Sequence, residues 1–166
     1  MTKSHTETFI HAFISSCLDY CNVLYVGLPK KLLYKLQKLQ NAAIRLIFNV
    51  RSRHPVSSFF AELHWLNIEQ RIIFKALLLI YKAVYGLAPM VLQNLVALRN
   101  RETLTIQTVF FNCSKFGKRA LMYYMPRYWN NIPIDIRSKN DVVSFKAALK
   151  SYLLLNFAEF KNNMNY

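Results

Sequence analysis

The stretch from Ile68 to Tyr85 constrains the fold more than any other part of the chain. Ile72, Phe74, Ala76, Leu77, Leu78, Leu79, Ile80, Ala83 and Val84 leave a helix there with only a thin polar strip. A helix that is apolar on most of its circumference must be covered on most of it, which places it centrally in a helical bundle. Its ends are marked as well. Asn67 reads as the N-cap, Gln70 stands at the capping-box position, and Gly86 follows the last periodic residue.

Spacing predicts further helices on either side. One runs from about Thr6 to Leu18, with Phe9, Phe13, Ile14, Cys17 and Leu18 recurring at helical intervals. Gly27, Leu28 and Pro29 break the chain, and Pro29 suits the first turn of the next helix. That helix, from about Lys30 to Asn49, carries an apolar seam of Leu32, Leu36, Leu39, Ala43, Leu46 and Val50. Lys31, Lys35, Lys38 and Arg45 each precede a seam residue, so at about 100° per residue they form a basic flank beside the stripe. Short helices are expected over Val56–Leu63 and Pro89–Leu98. A last helix is capped by Asn140 or Asp141 and runs to about Phe157, with Phe145, Leu149, Tyr152 and Leu153 inward. Thr103 to Phe111 favours an extended conformation. The expected fold is mainly α: an irregular bundle of about five to seven helices, with room for one short β-strand or hairpin near 103–111.

With 166 residues, 54% hydrophobic and 18% charged, the chain has enough apolar material for the core of one domain, or of a domain with a loose end. Its 22 Lys and Arg against 8 Asp and Glu give a formal charge of +14, a field that attracts polyanions. Nucleic acid, anionic lipid and an acidic protein all satisfy it. The richest apolar run, Ala76 to Tyr81, is closed by Lys75 and Lys82, too short to span a bilayer, and no secretory signal is legible at the N-terminus. The expectation is an intracellular chain, nuclear or cytoplasmic, neither secreted nor membrane-bound. Cys17, Cys21 and Cys113 fit no disulfide framework or zinc pattern and read as reduced core thiols, so no metal is assigned.

Catalytic patterns are missing from the sequence. Two-metal nucleotidyl transfer needs clustered carboxylates, whereas Asp19, Asp135 and Asp141 are scattered and Asp141 is explained as a cap. Gly27, Gly86 and Gly117 stand alone, matching neither a dinucleotide fingerprint nor a P-loop. His11 and His64 have no nucleophile context around them. The chain reads as a non-enzyme. Two binding leads remain. The basic flank of the second helix, extended by Arg51, Arg53 and His54, suits phosphate contacts, the alternative being a solvated helix face. Lys115, Phe116, Lys118, Arg119, Tyr123, Tyr124, Arg127, Tyr128 and Trp129 interleave cations with rings that could stack on bases, the alternative being ordinary core aromatics.

A collinear series of motifs runs through most of the chain. It begins with Ser16 Cys17 Leu18 Asp19 Tyr20 Cys21 Asn22, Gly27 Leu28 Pro29, and Leu39 Gln40 Asn41 Ala42 Ala43 Ile44 Arg45 Leu46. It continues with Glu62 Leu63 His64 Trp65 Leu66, Glu69 Gln70 Arg71 Ile72, and Tyr81 Lys82 through Gly86 Leu87 Ala88 Pro89. Trp129 Asn130 Asn131 Ile132 Pro133, Ile136 Arg137 Ser138 and Ser144 Phe145 Lys146 complete it. This series resembles the region downstream of the polymerase core in reverse transcriptases of non-LTR retrotransposons, the LINE elements of the jockey and chicken-repeat type. The resemblance implies a helical thumb-like domain over 1–98 and a C-terminal linker region over 99–166, or one continuous domain. It also implies that fingers, palm and the paired-Asp centre with its magnesium lie upstream, so that no cofactor belongs to this stretch. The implied partners are RNA and DNA, as template and primer, and the fingers and palm themselves. The implied role is to hold nucleic acid beside the palm, and the candidate contacts are the cations of the two binding leads, Lys31, Lys35, Lys38, Arg45, Arg51, Arg53, Lys115, Lys118, Arg119 and Arg127. A brace or protein-docking segment, and a retrotransposon relic without activity, are the rival expectations.

Overall fold

A computed structural model describes residues 2–94, 96, 98–100, 102–107 and 121–163, and the chain is mainly helical. Helix α1 (Lys3–Ile10) passes through a π-helical turn (His11–Ser15) into α2 (Ser16–Asp19), and a 3₁₀ turn spans Asn22–Tyr25. Then come α3 (Lys30–Ile47), α4 (Ser57–Glu62), α5 (Ile68–Val84) and α6 (Met90–Asn94). Strands β1 (Leu98–Asn100) and β2 (Thr105–Ile106) precede α7 (Leu121–Asn130), α8 (Ile134–Arg137), α9 (Val142–Leu155) and α10 (Phe157–Asn162). The two strands pair antiparallel, Leu98 with Ile106 and Asn100 with Thr105. This hairpin begins before the extended stretch expected at 103–111, and residues 108–111 of that expectation lie outside the described residues. Contacts divide the chain into two compact units, Met1–Asn22 with Leu28–Arg71, and Val23–Gly27 with Ile72–Tyr166.

In the first unit, Thr2 caps α1 through its hydroxyl, which accepts from the His5 N–H at 3.4 Å. The helical run reaches Asp19, but the π turn widens it, and the Ser16 N–H bonds back to the His11 carbonyl. The extra residue in that turn keeps Ile10, Ile14 and Leu18, spaced by four, on the inner side. Phe9 and Phe13, expected inside from a regular period, are exposed instead. Ile10, Ala43, Ile44, Ile47, Val56 and Trp65 form the core, with Phe48, Phe59, Phe60 and Leu63 against it.

Helix α3 starts after Pro29, whose carbonyl accepts from the Leu32 N–H at 2.9 Å. Its buried residues are Gln40, Ala43, Ile44 and Ile47. This corrects the leucine seam, because Leu32, Leu39 and Leu46 are exposed. Two glutamines take the inner face. The Gln40 side-chain amide donates to the Leu66 carbonyl at 2.8 Å, and Gln37 donates to the Gln40 oxygen at 3.0 Å. The Gln37 oxygen in turn accepts from the Ile68 N–H at 2.9 Å. Asn67 and Gln70 form the expected capping box, each side chain accepting from the other's backbone N–H at 2.9 Å. Arg71 donates to Asp19 at 3.0 Å and to the Leu66 carbonyl at 3.3 Å.

The second unit is built on Ile72, Ile73, Ala76, Leu77, Ile80, Tyr81 and Ala83 of α5, all buried. Gly86, at φ +71°, ends the helix with two backbone bonds, from Leu87 to Lys82 and from Gly86 to Ala83. The Tyr81 ring stacks on Phe145 at 4.1 Å between centroids, and its hydroxyl donates to the Lys139 carbonyl at 2.7 Å. Trp129 is wholly buried and its indole N–H donates to the Leu104 carbonyl at 2.6 Å. Asn130 clasps Ile106, accepting from its N–H and donating to its carbonyl, both at 2.9 Å. Asn131 donates to the Phe160 carbonyl at 2.7 Å. Helix α9 is capped by Asp141, whose carboxylate accepts from the Ser144 N–H at 2.9 Å, and it ends before Phe157 because the chain breaks at Asn156 and restarts as α10.

Candidate functional site

Helix α3 contains no Asp or Glu, and its cations are set by the rotation that buries Gln40 and Ile44. At about 100° per residue, the mean direction of Lys31, Lys35, Lys38 and Arg45 is about 180° from the mean buried direction. The basic residues are therefore not an edge beside the core stripe, as the leucine seam implies. They form a ridge on the side of the helix facing away from the core.

Lys31, Lys35 and Lys38 are exposed, and none has an ion pair among the described residues. Lys38 lies over the Tyr34 ring, its Nζ 4.8 Å from the centroid. Arg45 is half-buried, and its Nε–H donates to the His54 carbonyl at 3.0 Å. That bond ties the loop carrying Arg51 and Arg53, both exposed, to the C-terminal end of the ridge. From Lys31 to Arg45 the ridge runs about 21 Å, the length of about six steps along one duplex strand. A row of unpaired cations of that length can follow a phosphate backbone.

The leucines missing from the core lie between the ridge and the buried face. Leu32 is 43% exposed, Leu39 48% and Leu46 59%, and Phe9 and Phe13 of the first helical run are 50% and 62% exposed with rings 4.5 Å apart. Lys3, Thr6, Phe9, Leu46, Ile47, Phe48 and Asn49 line an open groove of about 650 Å³. Lys3 crosses one side of it, its Nζ 4.0 Å from the Phe48 ring centroid and 2.6 Å from a Glu62 carboxylate oxygen.

The second basic and aromatic lead is only partly visible. Lys115, Phe116, Lys118 and Arg119 lie outside the described residues. Tyr128 and Trp129 are buried, which takes both rings out of any base-stacking platform and corrects that expectation for them. Arg127 is half-buried, its guanidinium 3.7 Å over the Tyr123 ring while Nη1 donates to the Tyr123 carbonyl at 2.7 Å.

Cys17 and Cys21 are free but exposed, not the core thiols expected. Helix α2 ends between them at Asp19, Cys21 turns to φ 47°, and Cys113 lies outside the described residues. Among the described residues, no group of three or more His, Cys, Asp or Glu could hold a metal ion, and no helix is long and apolar enough to cross a membrane. No family model, curated protein or solved structure matches the chain.

Proposed function

We propose that the chain is a nucleic-acid-holding part of a LINE-type reverse transcriptase, gripping template and primer for a catalytic centre carried on other polypeptide. The observation that carries this reading is the ridge of Lys31, Lys35, Lys38 and Arg45, turned away from the core on a helix without a carboxylate. Cations so placed neutralise phosphates and release counterions, giving affinity without sequence preference. Arg51 and Arg53 lengthen the same positive surface. Magnesium and the polymerisation step belong to the other polypeptide, and the site of action is intracellular, nuclear or cytoplasmic.

Reversing Lys31, Lys35, Lys38 and Arg45 to Glu is expected to weaken binding of an RNA–DNA heteroduplex strongly. It should also flatten the slope of log affinity against log salt by about 3, at roughly 0.7–0.9 for each phosphate no longer neutralised. Anisotropy titrations at several salt concentrations read both. A folded variant with undiminished affinity and slope removes the ridge from the reading.

A structural brace is the second reading, favoured by where the motif residues sit. Asp19 with Arg71, Gln40, Trp129, Asn130 and Asn131 all make internal bonds. Tight association with a fingers and palm fragment, without heteroduplex binding, is its signature.

A further inference from the structure

A phosphate grip leaves the leucine stripe unexplained, since Leu32, Leu39 and Leu46 offer an anion no donor. They recur every seven residues, each directly after a cation: Lys31, Lys38 and Arg45. The stripe is continuous with Phe9, which lines the same groove as Leu46, and through Phe9 with Phe13. Contiguous exposed apolar surface of this kind marks a docking site.

Three features select the occupant. Leu32, Leu39 and Leu46 lie along one line of α3 about 21 Å long, the length that a partner helix of about four turns covers when it packs alongside. The groove beside Leu46 is concave, lined by Phe9, Ile47 and Phe48, and has room for apolar side chains from outside. The charges of α3 beside the stripe are all positive, while the Glu62 carboxylate at the groove side is already paired with Lys3 at 2.6 Å, so the complementary edge is acidic. We infer that the Leu32–Leu39–Leu46 stripe and its groove dock an amphipathic helix of a partner protein, with apolar residues at heptad spacing and carboxylates along the edge that meets Lys31, Lys38 and Arg45. A second copy of this chain would set its own cations against them. A flat lipid surface would leave the concavity unfilled. The docked helix uses cations of the phosphate ridge, so partner protein and nucleic acid exclude one another on this face. The docking does not depend on the nucleic-acid reading, whereas the mutual exclusion rests on it.

The test titrates the full chain with a labelled peptide of about three heptads, with Leu at a and d and Glu at e and g. A second peptide of the same composition has its leucines spread around the helix. The expected result is at least about tenfold tighter binding of the first peptide, weakened about tenfold in the Leu39→Ser/Leu46→Ser variant, which keeps its helicity and heteroduplex affinity. The variant Lys38→Gln/Arg45→Gln should weaken the same peptide and provides an independent check on the charged edge. Equal binding of the two peptides, or undiminished affinity in either variant, overturns the inference. So does preference for phosphatidylserine vesicles over the peptide, or a dimer of the free chain. Heteroduplex binding without peptide binding overturns docking alone, and peptide binding without heteroduplex binding overturns the nucleic-acid reading alone.

Discussion

Asn49, His64 and Gly86 occupy the same structural position, one residue past a helix cap, with φ of 50°, 50° and 71°. Each is framed by the same pair of backbone bonds: Val50 to Arg45 and Asn49 to Leu46, Trp65 to Phe60 and His64 to Ala61, Leu87 to Lys82 and Gly86 to Ala83. Glycine adopts this conformation freely and asparagine tolerates it, whereas a histidine with its Cβ is strained there. His64→Gly is therefore expected to raise stability by about 1 kcal/mol in urea unfolding. A decrease would mean that the imidazole makes a contribution outweighing the strain. Asp141 works by charge. The N–H groups of Ser144 and then Val143 hold its carboxyl below the ordinary value of 3.8. Because the folded-state value is the lower one, this stabilisation is complete above the unfolded-state value and is lost as pH falls through the folded one. Asn caps a helix without titrating, so the advantage of the native chain over Asp141→Asn should shrink below pH 3.8. A difference that stays constant across the acid range would remove the carboxylate from this account.

On the scale of elements, α3 carries most of the proposed function and is the least faithfully legible helix. Its extent can be read from Pro29 and the leucines, but its rotation cannot, because periodicity weighs Leu32, Leu39 and Leu46 and passes over Gln37 and Gln40. Those glutamines are inside because the carbonyl of Leu66 and the N–H of Ile68, at the entry to α5, need partners there. Gln40→Leu leaves the Leu66 carbonyl only the longer bond from Arg71 and takes from Gln37 its acceptor on Gln40, so it is expected to cost about 1 kcal/mol although it adds apolar surface. Thermal melts of the variant decide it, and an unchanged midpoint would show that the glutamines follow the rotation without enforcing it. The first helical run misleads for a different reason: a π turn inserts a residue that no spacing rule anticipates, and Phe9 and Phe13 move outward. Helix α5 is legible because its cap, its apolar circumference and its terminal glycine agree with one another. The cations of the ridge stand out as a group in the sequence, while their position opposite the core depends on burial that only the fold supplies. Trp129, Asn130 and Asn131 stand out as a motif, but nothing in the sequence indicates that they clasp Leu104, Ile106 and Phe160.

Across the whole molecule, the excess of 22 basic over 8 acidic residues acts on stability as well as on binding. Like charges repel throughout a compact chain of +14, so the folded state is under electrostatic stress that screening relieves. Simple salt should raise the melting temperature modestly and with no preferred site. A polyanion that binds only the folded state does more, because linkage adds a stabilisation that grows with its free concentration over Kd. If the ridge on α3 is the main grip, heparin at a fixed ionic strength should raise the melting temperature of the native chain by several degrees, and substantially less in the variant with Lys31, Lys35, Lys38 and Arg45 changed to Glu. The variant alone has a lower net charge and therefore less self-repulsion, so its melting temperature without heparin should be the same or higher. Reversing the four ridge residues takes the formal charge from +14 to +6, and so does reversing Lys82, Lys139, Lys146 and Lys150 instead, so a diffuse field predicts that heparin stabilisation falls equally in the two variants. A localised grip predicts that most of it disappears only when Lys31, Lys35, Lys38 and Arg45 are changed, and differential scanning fluorimetry of the native chain and both variants distinguishes the outcomes.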